Sequence, residues 1–209
     1  RPLSTLEQRI NCMIDKILKD YNVILASASP RRKEIFSLIG ITCEVVVSDV
    51  AEPITDEDPA LQSMRHARNK HNEVAAGCDE NDIVVSADTI VVLDGAILGK
   101  PRDTREAISY LQRLSGNTHT VITGICVGTL QNHRCAYEST QVVFSKLCSS
   151  EIEHYVATGE PMDKAGAYGI QGFGSQFIRS IEGCYFNVMG FPIRRFYDTL
   201  LAMKQEDII

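Results

Sequence analysis

Residues 23–40 read VILASASPRRKEIFSLIG, and the architecture can be worked out from them outward. Four apolar residues, Val23-Ile24-Leu25-Ala26, run into the small residues Ser27-Ala28-Ser29, and a helical pattern begins at Pro30. Ser29 suits the N-cap, Pro30 the first helical position and Gly40 the residue just past the end. Arg31 and Arg32 then fall in the first turn, where the helix dipole favours acids. Cations set against the dipole, next to free backbone N–H groups, point to an anion bound at the strand-to-helix turn. Guanidinium forks suit phosphate. The plain alternative is a solvated first turn with surface arginines. The phosphate-loop pattern G-x-x-x-x-G-K-[ST] is absent.

On either side of this unit the predicted elements are mixed. Residues 4–20 space Leu6, Ile10, Ile14, Ile17 and Leu18 as an amphipathic helix, an N-terminal extension over 1–21 ahead of one domain spanning 22–209. The first strand covers 22–27 and its helix 30–39, and the β-branched ITCEVVV of 41–47 reads as a second strand. An acidic loop at 48–58 leads through Asp58-Pro59 into a helix ending near Ala76. DIVVSAD (82–88) reads as a short buried strand, and after 89–93 the Asp94-Gly95 turn makes a hairpin into 96–98. Asp103 with Glu106 resembles a capping box for a helix over 104–115. Two long strands follow, about 118–130 and 134–147, and Ser150 with Glu153 opens a helix to Thr158. A glycine-rich segment, strands near 176–181 and 184–189, and a last helix from Pro192 complete the chain. The fold class is α/β, and the two long strands predict an elongated mixed sheet flanked by helices rather than a regular doubly wound one.

Composition narrows the partners. The chain has 209 residues, 44% of them hydrophobic, and a net charge of −6. Acidity argues against nucleic acid, whose binders present a basic face, and fits a small anion held by a local cluster of cations. No apolar run approaches the roughly 20 residues of a membrane span, and no signal peptide is visible, so a cytoplasmic setting is expected. Residue 1 is not Met, which leaves a preceding targeting segment open. Seven scattered cysteines without a C-x-x-C read as reduced thiols.

Several residues could carry chemistry. Asp88, at the end of an otherwise apolar strand, is a turn-former or a functional acid. Glu52 is a solvated acid or, together with Asp88, half of a Mg²⁺ or Mn²⁺ site, since such ions need few carboxylates when substrate oxygens complete the shell. Lys70 and Lys100 are solvent-facing or phosphate-facing. Gln171, within the glycine-rich AGAYGIQG, sits in a flexible surface loop or reads a base edge through its amide. The five histidines show no metal spacing and read as structural or surface residues.

Four blocks taken together, LASASPRRKEI, SADTIVVLDG with GKP, LSGNTHTVITG, and GEPMDKAGAYGIQGFG with NVMGFP, make the chain resemble the Maf family of nucleoside triphosphate pyrophosphatases from Val23 to about Leu201. The resemblance implies an elongated α/β fold similar to inosine triphosphate pyrophosphatases, with a cleft between two lobes, often as a homodimer. It implies hydrolysis between the α and β phosphates, giving a nucleoside monophosphate and pyrophosphate. Ser29, Arg31, Arg32, Lys70 and Lys100 are then matched to substrate binding, and Glu52 and Asp88 to the divalent metal. Asp88 is the candidate for orienting and deprotonating water, directly or through the metal. Arg31, Thr89 and Gln171 match the positions of the subgroup preferring dTTP and UTP, modified pyrimidine nucleotides remaining open. The sequence departs from the family pattern at Ala51, Asn69 and Gly99, where acids are common. A non-catalytic nucleotide-binding regulator of cell division is the alternative reading.

Overall fold

The computed structural model describes residues 13–209. The first part of the predicted 4–20 helix lies outside the described residues. Its end is a single turn, α1 (Ile14–Ile17), from which Ile17 and Leu18 are buried. The strands are β1 (Asn22–Ala26), β2 (Glu44–Val45), β3 (Asp82–Leu93), β4 (Ala96–Leu98), β5 (Thr118–Gly128), β6 (His133–Phe144) and β7 (Ile178–Glu182). The helices are α2 (Pro30–Leu38), α3 (Pro59–Ala75), α4 (Thr104–Leu114), α5 (Ser149–Ala157), α6 (Tyr185–Met189) and α7 (Ile193–Gln205). One sheet runs β2-β1-β3-β5-β6-β7, with β4 folded onto the far half of β3. Both parallel pairings are made by β1, with β2 and β3; the other four pairings are antiparallel, and two of them, β3–β4 and β5–β6, are hairpins. The mixed α/β sheet read from the sequence is the observed one.

β3 is the spine. Its predicted end at Asp88 is a correction: the β-branched run Thr89–Val92 continues the ladder with β5 as far as Val92↔Thr120, so Asp88 lies mid-strand opposite Gly124. Ile83, Val85 and Ala87 enter a core closed by Phe36 of α2 and Phe196 and Leu200 of α7. Further along, Val91 and Leu93 enter a second core with Leu111 of α4, Tyr155 of α5 and Phe144. One strand therefore supplies two lobes, and residues 88–90 span the gap between their cores.

The alternation of the strand decides what faces α3. Val84 packs with Ile24, Val74 and Ala75, Ser86 donates to the Ala67 carbonyl at 2.6 Å, and Asp88 follows on the same side. The helix can lie this close because residue 124 is glycine: a Cβ there would stand 2.4 Å from Ser63 C and 2.5 Å from Met64 N.

Three local expectations are corrected. The 41–47 strand shrinks to Glu44–Val45, a solvent-exposed edge with one neighbour. Residues 185–189 are a helical turn rather than a strand. Gly183 (φ 128°) ends β7, and the Asn187 amide donates to Val121 O and Thr140 Oγ1, pinning the turn against β5 and β6. The capping box of α5 is Cys148 with Glu151, whose carboxylate accepts from the Cys148 amide at 2.7 Å, two residues ahead of the expected Ser150 and Glu153. Asp58 and Asp103 cap α3 and α4 as read.

Gly124→Ala should lower the unfolding free energy by at least about 2 kcal/mol, because backbone atoms rather than a flexible side chain must yield. Urea denaturation with an unchanged m-value checks this, and a variant as stable as the parent would show that the helix can lift without cost.

Candidate active site

α3 and β3 build the centre. His66 and Lys70, four residues apart, share the helix face that overlies β3. Lys70 Nζ donates to Asp88 Oδ1 at 2.9 Å and to the Ala87 carbonyl at 3.3 Å, and it also pairs with Glu52. His66 Nδ1 lies 3.0 Å from Asp88 Oδ2 and its Nε2 lies 3.2 Å from the Pro53 carbonyl. Both oxygens of a buried carboxylate are thus partnered, and the loop carrying Glu52 is tied to the same helix. Burial alone would raise the Asp88 carboxyl, but the His66 hydrogen bond, the Lys70 ammonium and the Arg32 charge outweigh it and hold the group down at about 2. Asp88 is therefore an anion across the neutral and mildly acidic range.

The facing wall is the turn after β1. Ser29 holds the N-cap position of α2, yet its hydroxyl makes no capping bond. Ser27 does the local work, its Oγ accepting from the Ser29 amide at 3.2 Å and from Arg32 Nη1 at 2.8 Å. Arg32 is buried and also donates to the Gly190 carbonyl at 2.8 Å and to Thr89 Oγ1 at 3.2 Å. It thereby clamps the β1 turn, β3 and the end of α6. Thr123 donates to Asn187 O at 3.1 Å, so at their 2.9 Å contact the Thr89 hydroxyl is the donor to Thr123. Arg31 is left half-exposed, with Nη1 3.5 Å from Asp163 Oδ2.

These groups line one cleft of about 580 Å³, a volume suited to a small ligand. Of the residues read from the sequence, the structure brings Ser29, Arg31, Arg32, Glu52, Lys70, Asp88, Thr89 and Lys100 to its wall. Gln171 is not on the wall; it is exposed and directly follows Gly169 and Ile170, which are. Sequence reasoning missed His66, Lys164 and Gln62, the last a buried wall residue whose Nε2 has no partner among the described residues. The spacing of His66 and Lys70 on one predicted helix was the available signal for the first. Five Arg and Lys side chains face three carboxylates here, so a polyanion is favoured. Glu52 and Asp88 meet at a single ammonium nitrogen, which places two hard oxygen donors close enough to share a cation beside open cleft. That donor set fits Mg²⁺ or Mn²⁺.

The family model described as Maf-like protein matches residues 22–203, a span that contains every residue just described. The chain belongs to the Maf-like family. Its relatives in that family include the dTTP/UTP pyrophosphatase of Bacillus cytotoxicus, 49% identical over 173 residues that cover 82% of this chain and 90% of that protein. The dTTP/UTP pyrophosphatase of Caldanaerobacter subterraneus subsp. tengcongensis is 44% identical over 180 residues, covering 85% and 87%. That of Aquifex aeolicus is 42% identical over 182 residues, covering 87% and 95%. The Ham1 protein of Staphylococcus aureus has a similar fold, with a TM-score of 0.51 at 14% identity over 89% of this chain and 99% of that one.

Because its folded value is depressed, Asp88 contributes stability that is present above the unfolded carboxyl value near 4 and lost as pH falls through about 2. The gap in unfolding free energy between the parent and Asp88→Asn should be flat from about pH 7 to 5. Below about pH 4 it should narrow, by roughly 2 kcal/mol in all. A gap that widens on acidification would mean that the carboxyl is held protonated.

Proposed function

We propose that the protein is a nucleoside triphosphate pyrophosphatase that hydrolyses dTTP and UTP to the monophosphate and pyrophosphate. The observation that carries the reading is an ionised, buried Asp88 held by Lys70 and His66 at the centre of a cation-rich cleft. The names of relatives sharing 42–49% identity over more than four-fifths of this chain support it. Residues 22–209 act as one catalytic unit in this proposal. A homodimer is part of it on the strength of the family resemblance, and a cytoplasmic setting is part of it too.

Arg31 and Lys100 are open to the cleft and take the phosphates first. Lys70 has three oxygen partners at rest, and an incoming phosphate oxygen competes for its ammonium. Water adds to the α-phosphorus while the bond to the α–β bridging oxygen breaks; that oxygen leaves with pyrophosphate, and the proton lost by the water passes to the departing pyrophosphate or to solvent. The cations stabilise the charge that develops there. Glu52 and Asp88 would hold a divalent cation of the Mg²⁺ or Mn²⁺ kind, which supplies further charge neutralisation at the phosphates. Asp88 orients the water. A carboxylate held at about 2 takes a proton poorly while Lys70 and His66 are both bonded to it, so positioning is its main task. His66 fixes the carboxylate's second oxygen and the Glu52 loop together.

Base preference falls to Arg31, Thr89 and Gln171. Thr89 is already saturated by Arg32 and Thr123, so it acts by shaping the wall. Gln171, at the rim, is the candidate for reading the base edge, where an unmatched partner leaves polar groups unpaired.

Pyrophosphate release from dTTP, UTP, GTP and ATP, with Mg²⁺ or Mn²⁺, tests the reading. We expect UTP and dTTP to lead, and Asp88→Asn to lower kcat at least about 100-fold with the fold retained. Equal kcat/KM for UTP and GTP, or near-parent turnover by the variant, would contradict it. Nucleotide binding without product release would instead favour a regulator.

A further inference from the structure

Away from the cleft, β5 and β6 bring together three donors of a different kind. Cys126 and Cys135 are directly opposed in register, and strand alternation puts His133 on the same face of β6 as Cys135. Cys126 Sγ, Cys135 Sγ and a His133 ring nitrogen all lie within 4.8 Å of one another, with the two sulfurs 2.8 Å apart. Cys126 is buried, and Cys135 and His133 are half-buried. The hairpin that sets this spacing is tight: Gly128 has φ 140°, and a Cβ on it would stand 2.2 Å from Asn132 O and 2.6 Å from His133 Cα. α3 covers the cluster, with the Arg68 charge facing Cys135 and the His71 ring 4.7 Å from that of His133.

We propose that Cys126, Cys135 and His133 form a second site, a Cys₂His centre for a borderline-to-soft cation of the Zn²⁺ class. Two sulfurs and an imidazole favour such an ion over the hard Mg²⁺ or Mn²⁺ that suits the carboxylates of the cleft. The two thiolates neutralise a divalent charge. Both thiols lose their protons to solvent on loading. Arg68 remains as an outer partner orienting the Cys135 sulfur. With Zn–S near 2.3 Å, tetrahedral sulfurs stand about 3.8 Å apart, so the pair opens by about 1 Å. Three protein ligands leave the fourth position to water. The site is independent of the hydrolytic reading.

The test is a Co²⁺ titration of the reduced, full chain, read by thiolate-to-cobalt charge-transfer absorption and reversed by Zn²⁺. We expect one equivalent to bind, the band to vanish in Cys135→Ser, and affinity to fall about tenfold or more in His133→Gln. Cys148→Ser, an exposed thiol outside the cluster, should leave the band unchanged. Cys135 and His133 are only half-buried, and circular dichroism checks that each variant is folded. Absence of the band, its persistence in Cys135→Ser, or a Cys126–Cys135 disulfide that forms in place of metal binding in reducing buffer would each overturn the proposal.

Discussion

Ionising a carboxylate as deeply placed as Asp88 costs several kcal/mol unless a cation and hydrogen bonds meet it, and Lys70 and His66 are the groups that do so. That pairing dictates much else. α3 must come within hydrogen-bond reach of β3, which needs a glycine at 124. β3 must be long enough to cross from one core to the next, so that its polar residues fall where neither lobe closes over them. The Glu52 loop must return to α3, and the contacts of Pro53 with His66 and of Glu52 with Lys70 bring it there.

The cleft is nevertheless not saturated. Each of the three Arg32 nitrogens has a protein partner, Gly190, Ser27 or Thr89, so the side chain clamps the turn after β1. Lys100 is exposed, Arg31 has its 3.5 Å contact with Asp163, and Lys70 is held by groups that a phosphate or a divalent ion can replace. A rigid frame with exchangeable cations suits a polyanion that must be bound, cleaved and released, because the frame does not reorganise while the charges change partners.

How much of this was legible depended on how local the signal was. The β1–α2 unit follows from small residues, Pro30 and Gly40, and Asp88 stood out as an acid inside a largely apolar strand. Asp58 and Asp103 cap as their positions suggest. His66 was not legible as a functional residue, because its partner is 22 residues away and only the helix-on-strand packing joins them. The role of Arg32 rests on the Gly190 carbonyl, 158 residues distant. The 185–189 turn was misread because its Phe and Val alternate like a strand, whereas the buried amide of Asn187 determines the backbone there. Gln171 is the one predicted site residue that the fold leaves outside the wall.

The central claim is that this cleft stabilises a leaving pyrophosphate while water attacks the α-phosphorus. Turnover of UTP in ¹⁸O-water, with products resolved by ³¹P NMR, tests it directly. The account predicts UMP carrying the label and unlabelled pyrophosphate. Label in pyrophosphate, or UDP with labelled orthophosphate, would contradict it.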